Sequence, residues 1–141
     1  MQGIKKLTLV ISSLTGGGAE GICVNIANSF ADNGWKVDLV VLNLNEEVYV
    51  DRISKKVNLV VLKVNHARFS FIPLIKYLYK NKIKTILVFN HELTVILVIL
   101  RYLLRLNIKI ISRNISVLSI KINQLEKNFF WKKYIIKFLI K

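Results

Sequence analysis

The fold is decided by residues 6–42, which read KLTLVISSLTGGGAEGICVNIANSFADNGWKVDLVVL. Residues 6–12 form a short apolar run rich in β-branched types, and residues 36–42 form a second one, so both are predicted to be buried strands. Between them, after a glycine loop, apolar residues recur at helical spacing. This pattern predicts a strand, a helix beginning at Gly18 and ending near Asn33-Gly34, and a second strand. The apolar positions of the helix are Ala19, Ile22, Cys23, Ile26, Ala27 and Phe30.

The rest of the chain continues the alternation of strands and helices. Further strands are predicted over residues 58–64, 85–89 and 108–112, and helices over residues 93–106 and 122–141. Another helix is predicted to be capped by Ser70 and entered through Pro73, with Phe71, Ile75, Leu78 and Tyr79 buried. Only a short irregular turn is expected in residues 46–56. The pattern favours the α/β class, a Rossmann-like parallel sheet with flanking helices, in a single domain spanning residues 1–141.

The charge is large and unevenly distributed along the chain. The net charge is +14 over 141 residues, but residues 1–50 carry −2 and residues 51–141 carry +16. Such a balance suits an anionic partner, namely nucleic acid, an anionic membrane or a phosphorylated substrate, and a solvated lysine-rich surface is the alternative. The lone Cys23 excludes an internal disulfide, and the apolar run at 93–100 is too short to cross a bilayer. We expect a cytoplasmic protein without a cleaved signal peptide.

The glycine loop is the clearest functional signal. Gly16, Gly17 and Gly18, with Glu20 and Gly21, match the G-x-G-x-x-G pattern between a strand and a helix. A dinucleotide site is disfavoured because residues 13–15 separate the loop from the strand and no acid closes the second strand. The loop still offers unobstructed backbone N–H groups at a helix N-terminus, which suit a phosphate or sugar hydroxyls. A simple tight turn is the alternative.

Polar residues follow the fourth and fifth predicted strands, where ligands of open α/β sheets bind. Asn90, His91 and Glu92 follow the fourth strand, and Arg113 and Asn114 follow the fifth. His91 is a candidate general base, with Glu92 setting its tautomer, and Arg113 is a candidate phosphate ligand. The alternatives are a polar loop that caps the next helix and an ordinary surface arginine. No spacing suggests a hydrolase triad or a metal site.

Several of these segments together resemble the opening of glycosyltransferase family 4 enzymes. The likeness covers the strand and "GGAE" loop of residues 7–20, the "NIA" of residues 25–27 and "GWKVDLV" of residues 34–40, and continues through residues 84–89. Residues 110–114, IISRN, are similar to the "ISERN" of many members. Two departures are Gly21, where members commonly have Arg, and the missing Glu of "SERN".

The resemblance implies the N-terminal, acceptor-side half of a GT-B architecture, with the nucleotide-sugar donor bound mainly by a second domain and without an obligatory metal or other cofactor. It would place Gly16, Gly17, Gly18 and Glu20 opposite the donor phosphates across the cleft between the two domains. The substrate-binding candidates Asn90, Arg113 and Asn114 and the catalytic candidate His91 rest instead on their positions after the fourth and fifth strands. The family's donor-domain signature would lie beyond Lys141. The chain then looks like the front part of a longer enzyme, inactive alone unless a second chain supplies the donor domain.

Basic amphipathic segments in the second half of the chain suggest a location at a membrane surface. Arg101, Arg105 and Lys109 adjoin an apolar helix, and more lysines surround aromatic residues in the tail after residue 120. Such surfaces bind anionic membranes, although they could equally pack on the missing domain. Many members of the family that the chain resembles glycosylate lipid-linked or envelope acceptors at the inner membrane face, so the resemblance implies a hexosyltransferase acting on such an acceptor. The alternative is a non-enzymatic module that binds a membrane surface or polyanion, and nucleic-acid binding is disfavoured because no recognised motif is present.

Overall fold

The structure, a computed structural model, describes residues 5–44 and 48–113. Asn114 and the helix predicted over residues 122–141 lie outside these residues. The strands are β1 (Lys6–Ile11), β2 (Lys36–Val41), β3 (Val57–Val61), β4 (Thr85–Val88) and β5 (Lys109–Ser112). The helices are α1 (Gly18–Asp32), α2 (Phe71–Asn81) and α3 (His91–Leu103), with short 3-10 helices at Val50–Arg52 and Ala67–Phe69.

The five strands form one parallel sheet in the order β3-β2-β1-β4-β5. The predicted fold class, an α/β Rossmann-like sheet with flanking helices, is therefore confirmed. From β1 the chain turns through α1 to β2 on one side, whereas β4 pairs with β1 on the other. The loops after β1 and β4 consequently lead to helices on opposite faces of the sheet, which makes this the topological switch point at which ligands of such sheets bind.

Successive β1 side chains face two different helical layers. Leu7, Leu9 and Ile11 pack with Cys23 and Ala27 of α1 on one face. Val10 packs on the other face, in the cluster that holds the buried residues of α2 and α3. Because both faces of the central strands are covered, β1 and β2 are apolar nearly throughout, as expected for a parallel sheet.

The helix predicted at Ser70 forms, but two of its details were wrong. Tyr79 is 59% exposed, and Tyr77 is buried in its place. Ser70 precedes the helix without capping it, since its hydroxyl donates to the carbonyl of Ala67 at 2.6 Å. This helix is apolar on most sides, so spacing alone did not fix which side faces the sheet; a buried partner for Tyr77 does.

Strand and helix ends differ from the predicted ones for local reasons. The third strand ends at Val61 instead of residue 64, just before Lys63 turns into the left-handed region at φ 58°. The α3 helix starts at His91, two residues before the predicted start, because the Asn90 side-chain oxygen accepts the N–H of Glu92 and caps it. The prediction that α1 ends near Asn33-Gly34 is confirmed, with Gly34 at φ 80°.

A buried polar cluster joins α2 to the sheet. Asp38, only 1% exposed in the middle of β2, accepts hydrogen bonds from the Tyr77 hydroxyl at 2.6 Å and the Asn58 amide at 2.9 Å. The Lys6 ammonium lies 3.1 Å from the same carboxylate. Burial by itself would raise the pKa of Asp38, but these hydrogen bonds and the Lys6 charge outweigh it and hold the pKa below its ordinary value of 3.8. The cluster therefore keeps a carboxylate ionised inside the core.

Residues 5–44 and 48–113 include no helix that combines the length and apolar character needed to cross a bilayer.

Candidate functional site at the carboxyl edge

The predicted site residues that the structure describes lie in the loops after β1, β4 and β5 or in the first turns of the helices α1 and α3. These strands are parallel, and Val10 of β1 pairs with Val88 of β4, which in turn pairs with Ser112 of β5. Their carboxyl ends therefore lie at one edge of the sheet, called the carboxyl edge below. The Phe89 N–H donates to the Val10 carbonyl and the Arg113 N–H donates to the Val88 carbonyl, so ladder bonds extend into the loops. The backbone thus fixes where these loops start.

The three consecutive glycines have three different structural situations. Gly16 has φ 110°, a conformation that L side chains rarely adopt. A Cβ at Gly17 would overlap the carboxylate of Glu20. Gly18 has neither constraint, because a Cβ there would find no atom within 4 Å. Backbone conformation therefore favours glycine at residue 16, whereas a side chain at residue 17 would only displace the end of the flexible Glu20 side chain, and the bare backbone at Gly18 opens onto empty space.

The N-terminus of α1 carries no side-chain cap. Gly17 occupies the capping position with extended backbone, and it has no side chain that could accept an N–H of the first turn. At α3, by contrast, Asn90 provides such a cap. The first N–H groups of α1 and the positive end of its dipole are thus directed to an exposed loop, with Glu20 as the nearby negative group. This arrangement can accept an anion that competes with, or displaces, the Glu20 carboxylate.

Arg113 lies on the side of the sheet that α1 covers, because Phe89 beneath it belongs to the apolar cluster of α1. Its guanidinium stacks over the ring of Phe89, 5.8 Å from the ring centroid, and the residue is exposed. Burial, together with the charge of Glu20, raises the pKa of Cys23 to about 12, and the charge of Arg113 opposes this shift. Both charged groups therefore act on the Cys23 thiol in the second turn of α1. Because the Cys23 thiol is buried and stays protonated, it is not suited to act as a nucleophile.

His91 and Asn90 are positioned by the start of α3. His91 is exposed as the first residue of the helix, and Asn90 holds the capping position. Among the described residues no hydrogen bond joins His91 to Glu92, so the expected tautomer control is not present in this structure. The predicted roles of His91 as a base and Asn90 as a substrate ligand stay predictions.

The segment after β2, expected as a short irregular turn, packs against the glycine loop, and this contact was not predicted. The nearest neighbour of a Cβ at Gly16 would be Val48, at 3.4 Å, and that of a Cβ at Gly21 would be the Tyr49 hydroxyl, at 3.3 Å. A longer side chain at residue 21 would press on Tyr49. This contact favours a small residue at position 21. Sequence spacing could not reveal it, because Tyr49 lies in a stretch without periodicity.

The carboxyl edge thus brings together the glycine loop, Glu20 and Arg113, with Asn90 and His91 in the adjoining loop. Sequence reasoning missed Phe89, which supports the Arg113 guanidinium, and the pair of hydroxyls from Thr94 and Ser112, 2.9 Å apart. Phe89 directly follows β4 and Ser112 ends β5, so position in the sequence could have found these two, whereas Thr94 lies within α3 and gave no such signal. In the described ranges, no group of three His, Cys, Asp or Glu side chains is placed to hold a metal ion.

No protein-family model matches this chain, and no curated protein or solved structure matches it either. The class that the observations define is therefore the α/β Rossmann-like domain with a polar carboxyl edge.

Proposed function

We propose that this chain is the acceptor-side domain of a GT-B glycosyltransferase, related to family 4, that helps to position a nucleotide-sugar and an acceptor hydroxyl. The resemblance of residues 7–40 and 110–114 to that family motivates the proposal. The parallel sheet order and the glycine loop at its switch point are compatible with it. Sugar transfer would require a donor domain, from another part of a longer protein or from a second chain.

The observation that carries the proposal is the environment of Gly18. A side chain there would meet nothing within 4 Å, and its φ lies outside the left-handed range, so neither packing nor φ requires glycine at this position. A bare backbone at an uncapped helix N-terminus is useful when an external group must approach the N–H groups closely. The diphosphate of a nucleotide-sugar is such a group.

Charge at the same place suits a diphosphate. Arg113 is exposed, stacked on Phe89 and close enough to the start of α1 to influence Cys23. Its planar guanidinium can donate two parallel hydrogen bonds to phosphate oxygens. Glu20 opposes phosphate binding through its charge, but its carboxylate can accept hydrogen bonds from sugar hydroxyls. We propose that Arg113 binds phosphate and Glu20 orients the sugar or the acceptor.

His91 is the proposed base. It lies on the first turn of α3, after the switch-point strand β4 and open to solvent, where an acceptor hydroxyl can reach its ring. In the transfer step, a ring nitrogen would take the proton of the hydroxyl as its oxygen attacks the anomeric carbon, and the nucleoside diphosphate would leave with the bonding electron pair. The acceptor is proposed to be a lipid-linked or envelope glycan, as the family resemblance suggests.

Calorimetric titration of the full chain with a uridine diphosphate sugar tests the phosphate contacts. Arg113→Gln removes a charge-assisted contact, which is worth about 1.5–3 kcal/mol, so affinity should fall by roughly tenfold or more. The matched control is Arg68→Gln, since Arg68 is also exposed and also lies over an aromatic ring, that of Phe69. Its affinity should equal that of the wild type.

Gly18→Val is the second variant of this test. Because the added side chain enters open space, the thermal unfolding midpoint should hardly change, whereas nucleotide-sugar affinity should fall. Equal affinities for the wild type, Arg113→Gln and Gly18→Val would contradict the proposed site. Equal losses of affinity in Arg113→Gln and Arg68→Gln would mean that the nucleotide-sugar is held only by non-specific charge attraction.

A further inference from the structure

The opposite edge of the sheet, where the strands begin, is basic at every strand. In the sheet, Lys6 of β1 pairs with Lys36 of β2, and Lys109 of β5 pairs with Thr85 of β4. Backbone hydrogen bonds also join Lys36 to Lys5 and Lys109 to Lys84. At the outer strand, Lys55 and Lys56 directly precede β3. We call this end of the sheet the amino edge.

The carboxyl ends of all three helices add to the amino edge. Asn81, the last residue of α2, accepts a hydrogen bond from the Lys6 ammonium through its carbonyl. At the end of α1, Asp32 pairs with Lys56, and Trp35 lies beneath the Lys5 ammonium, 5.5 Å from the ring centroid. The α3 helix ends at Leu103, a few residues before β5 begins. The last helical turns and adjoining loops therefore contribute the exposed bases Lys80, Lys82, Arg101 and Arg105.

The positive charge of this surface is only slightly neutralised. Two acids, Asp32 and Asp38, lie at or near the amino edge, and each forms an ion pair with a lysine of the same edge. In the part of the chain that the structure describes, no other ion pair is present. The exposed bases without an ion pair there are Lys5, Lys36, Lys55, Lys80, Lys82, Lys84, Arg101, Arg105 and Lys109.

Large apolar and aromatic side chains are exposed among these bases. Tyr102 is 84% exposed and Leu103 is 64% exposed at the end of α3, and Tyr79 is 59% exposed near the end of α2. Exposed apolar side chains that border on cationic ones suit the boundary between lipid headgroups and acyl chains. Solvation of a lysine-rich surface would not require them.

We propose that the amino edge docks on an anionic lipid bilayer, with its lysines and arginines among the headgroups and Tyr79, Tyr102 and Leu103 at the acyl boundary. Helix dipoles explain bases in the last turns, such as Lys80 and Arg101, but not those at the starts of the strands. Nucleic acid could satisfy the charge, yet it offers no apolar layer for Leu103. The bilayer satisfies both the charge and the apolar side chains.

This docking would hold the candidate site away from the lipid. The amino and carboxyl edges are separated by the length of β1, which has six residues, or about 20 Å at the rise of an extended strand. The glycine loop would therefore face the aqueous side. The acceptor end of a membrane-attached glycan would have to extend this far from the headgroups. The docking surface shares no residue with the proposed sugar-transfer site, so either can be true without the other.

Co-sedimentation with vesicles tests the docking surface in the full chain. Vesicles of phosphatidylglycerol with phosphatidylcholine should bind the protein, and vesicles of phosphatidylcholine alone should not. The triple variant Lys36→Gln, Lys84→Gln, Lys109→Gln should weaken binding on the order of a hundredfold, because each base near an anionic surface contributes to partitioning. These three lysines are exposed and have no ion pair within the described residues.

The matched control removes the same charge away from the amino edge. Lys63→Gln, Arg68→Gln, Lys76→Gln alters three exposed bases, in the loop after β3, in the second 3-10 helix and in the middle of α2. It should bind within about threefold of the wild type if charge position matters. Equal weakening of both triple variants, unchanged binding of the amino-edge variant, or no vesicle binding by the wild type would overturn the proposal.

Two further measurements complete the test. Tyr102→Ser with Leu103→Ser should reduce the binding that survives high salt, since only the apolar contribution resists screening. A DNA duplex added as competitor should not displace the protein from the vesicles. Displacement by the duplex at a lower phosphate concentration than that of the vesicles would favour nucleic acid as the partner and overturn the bilayer assignment.

Discussion

The two edges of the sheet differ in the chemistry that they present. The carboxyl edge exposes bare backbone, an uncapped helix N-terminus and isolated charges such as Arg113. The amino edge exposes lysines at the start of each strand, and a buried carboxylate, Asp38, lies beneath it. A parallel sheet places all strand starts on one side and all strand ends on the other, so one topology separates the two proposed anion-binding surfaces. The first suits one small ligand, and the second suits an extended surface.

The comparison also shows that net charge counted by sequence halves does not describe how the charge is distributed over the folded molecule. Divided by sequence, the first fifty residues carry a net −2. In the fold, however, Lys5, Lys6 and Lys36 from that half join the same edge as Lys84 and Lys109 from the second half. The electrostatic surface follows strand direction rather than sequence position.

The largest expected effect concerns the cluster under the amino edge. Tyr77→Phe removes a donor at 2.6 Å from the buried Asp38 carboxylate, which should lower the free energy of unfolding by about 2 kcal/mol. Tyr79→Phe is the control, because Tyr79 is mostly exposed on the same helix, and its change should stay within about 0.5 kcal/mol. Urea denaturation measures both. Equal effects of the two variants would contradict the claim that the hydrogen bond from Tyr77 to Asp38 stabilises the fold.

The next effect separates the glycines of the carboxyl edge. Gly16→Ala forces a side chain into φ 110°, and we expect a loss of about 1 kcal/mol in unfolding free energy. Gly18→Ala has open space and a helical position, so its stability should be unchanged or higher by up to about 0.5 kcal/mol. Thermal and urea unfolding compare the two variants. A larger loss in Gly18→Ala would mean that Gly18 serves the fold rather than a ligand.

Acid should lower the free energy of unfolding, because it protonates Asp38 in the buried polar cluster. Burial disfavours the ionised form of Asp38, but the hydrogen bonds and Lys6 lower its pKa below the ordinary 3.8 in the folded state. The stabilisation is therefore fully present above the unfolded pKa and is lost as pH falls through the folded pKa. Unfolding free energy measured from pH 7 downward should fall below about pH 4. Tyr77→Phe should make this fall shallower, and an unchanged slope would contradict the assignment.

The smallest expected effect concerns the charge of Glu20 at the carboxyl edge. Because the Glu20 carboxylate lies over Gly17 at the N-terminus of α1, it opposes a phosphate there. Glu20→Gln removes the charge and keeps the size, so affinity for inorganic pyrophosphate should rise about threefold. Glu92→Gln, at the capped start of α3, is the matched control and should leave this affinity unchanged. A lower affinity in Glu20→Gln would place the phosphate elsewhere.

Local sequence pattern was sufficient for the elements and for the glycine loop. Alternating apolar runs located all five described strands, and residues 16–18 stand where the loop forms. Spacing did not orient α2, because Tyr77 turns inward only when Asp38 and Thr8 are brought together by strand register. The Gly21–Tyr49 contact and the basic amino edge likewise depend on residues that are distant in sequence. Long-range pairing, which periodicity does not encode, accounts for these misses.

Amide chemical-shift mapping on the full chain tests the central claim, that the two edges bind different anionic partners. A uridine diphosphate sugar should shift the amides of Gly17, Gly18 and Arg113 and leave those of Lys36, Lys84 and Lys109 in place. Small anionic bicelles should broaden or shift the second set and spare the first. Shifts of the amino-edge amides by the nucleotide-sugar, with none in the glycine loop, would contradict the division of function between the edges.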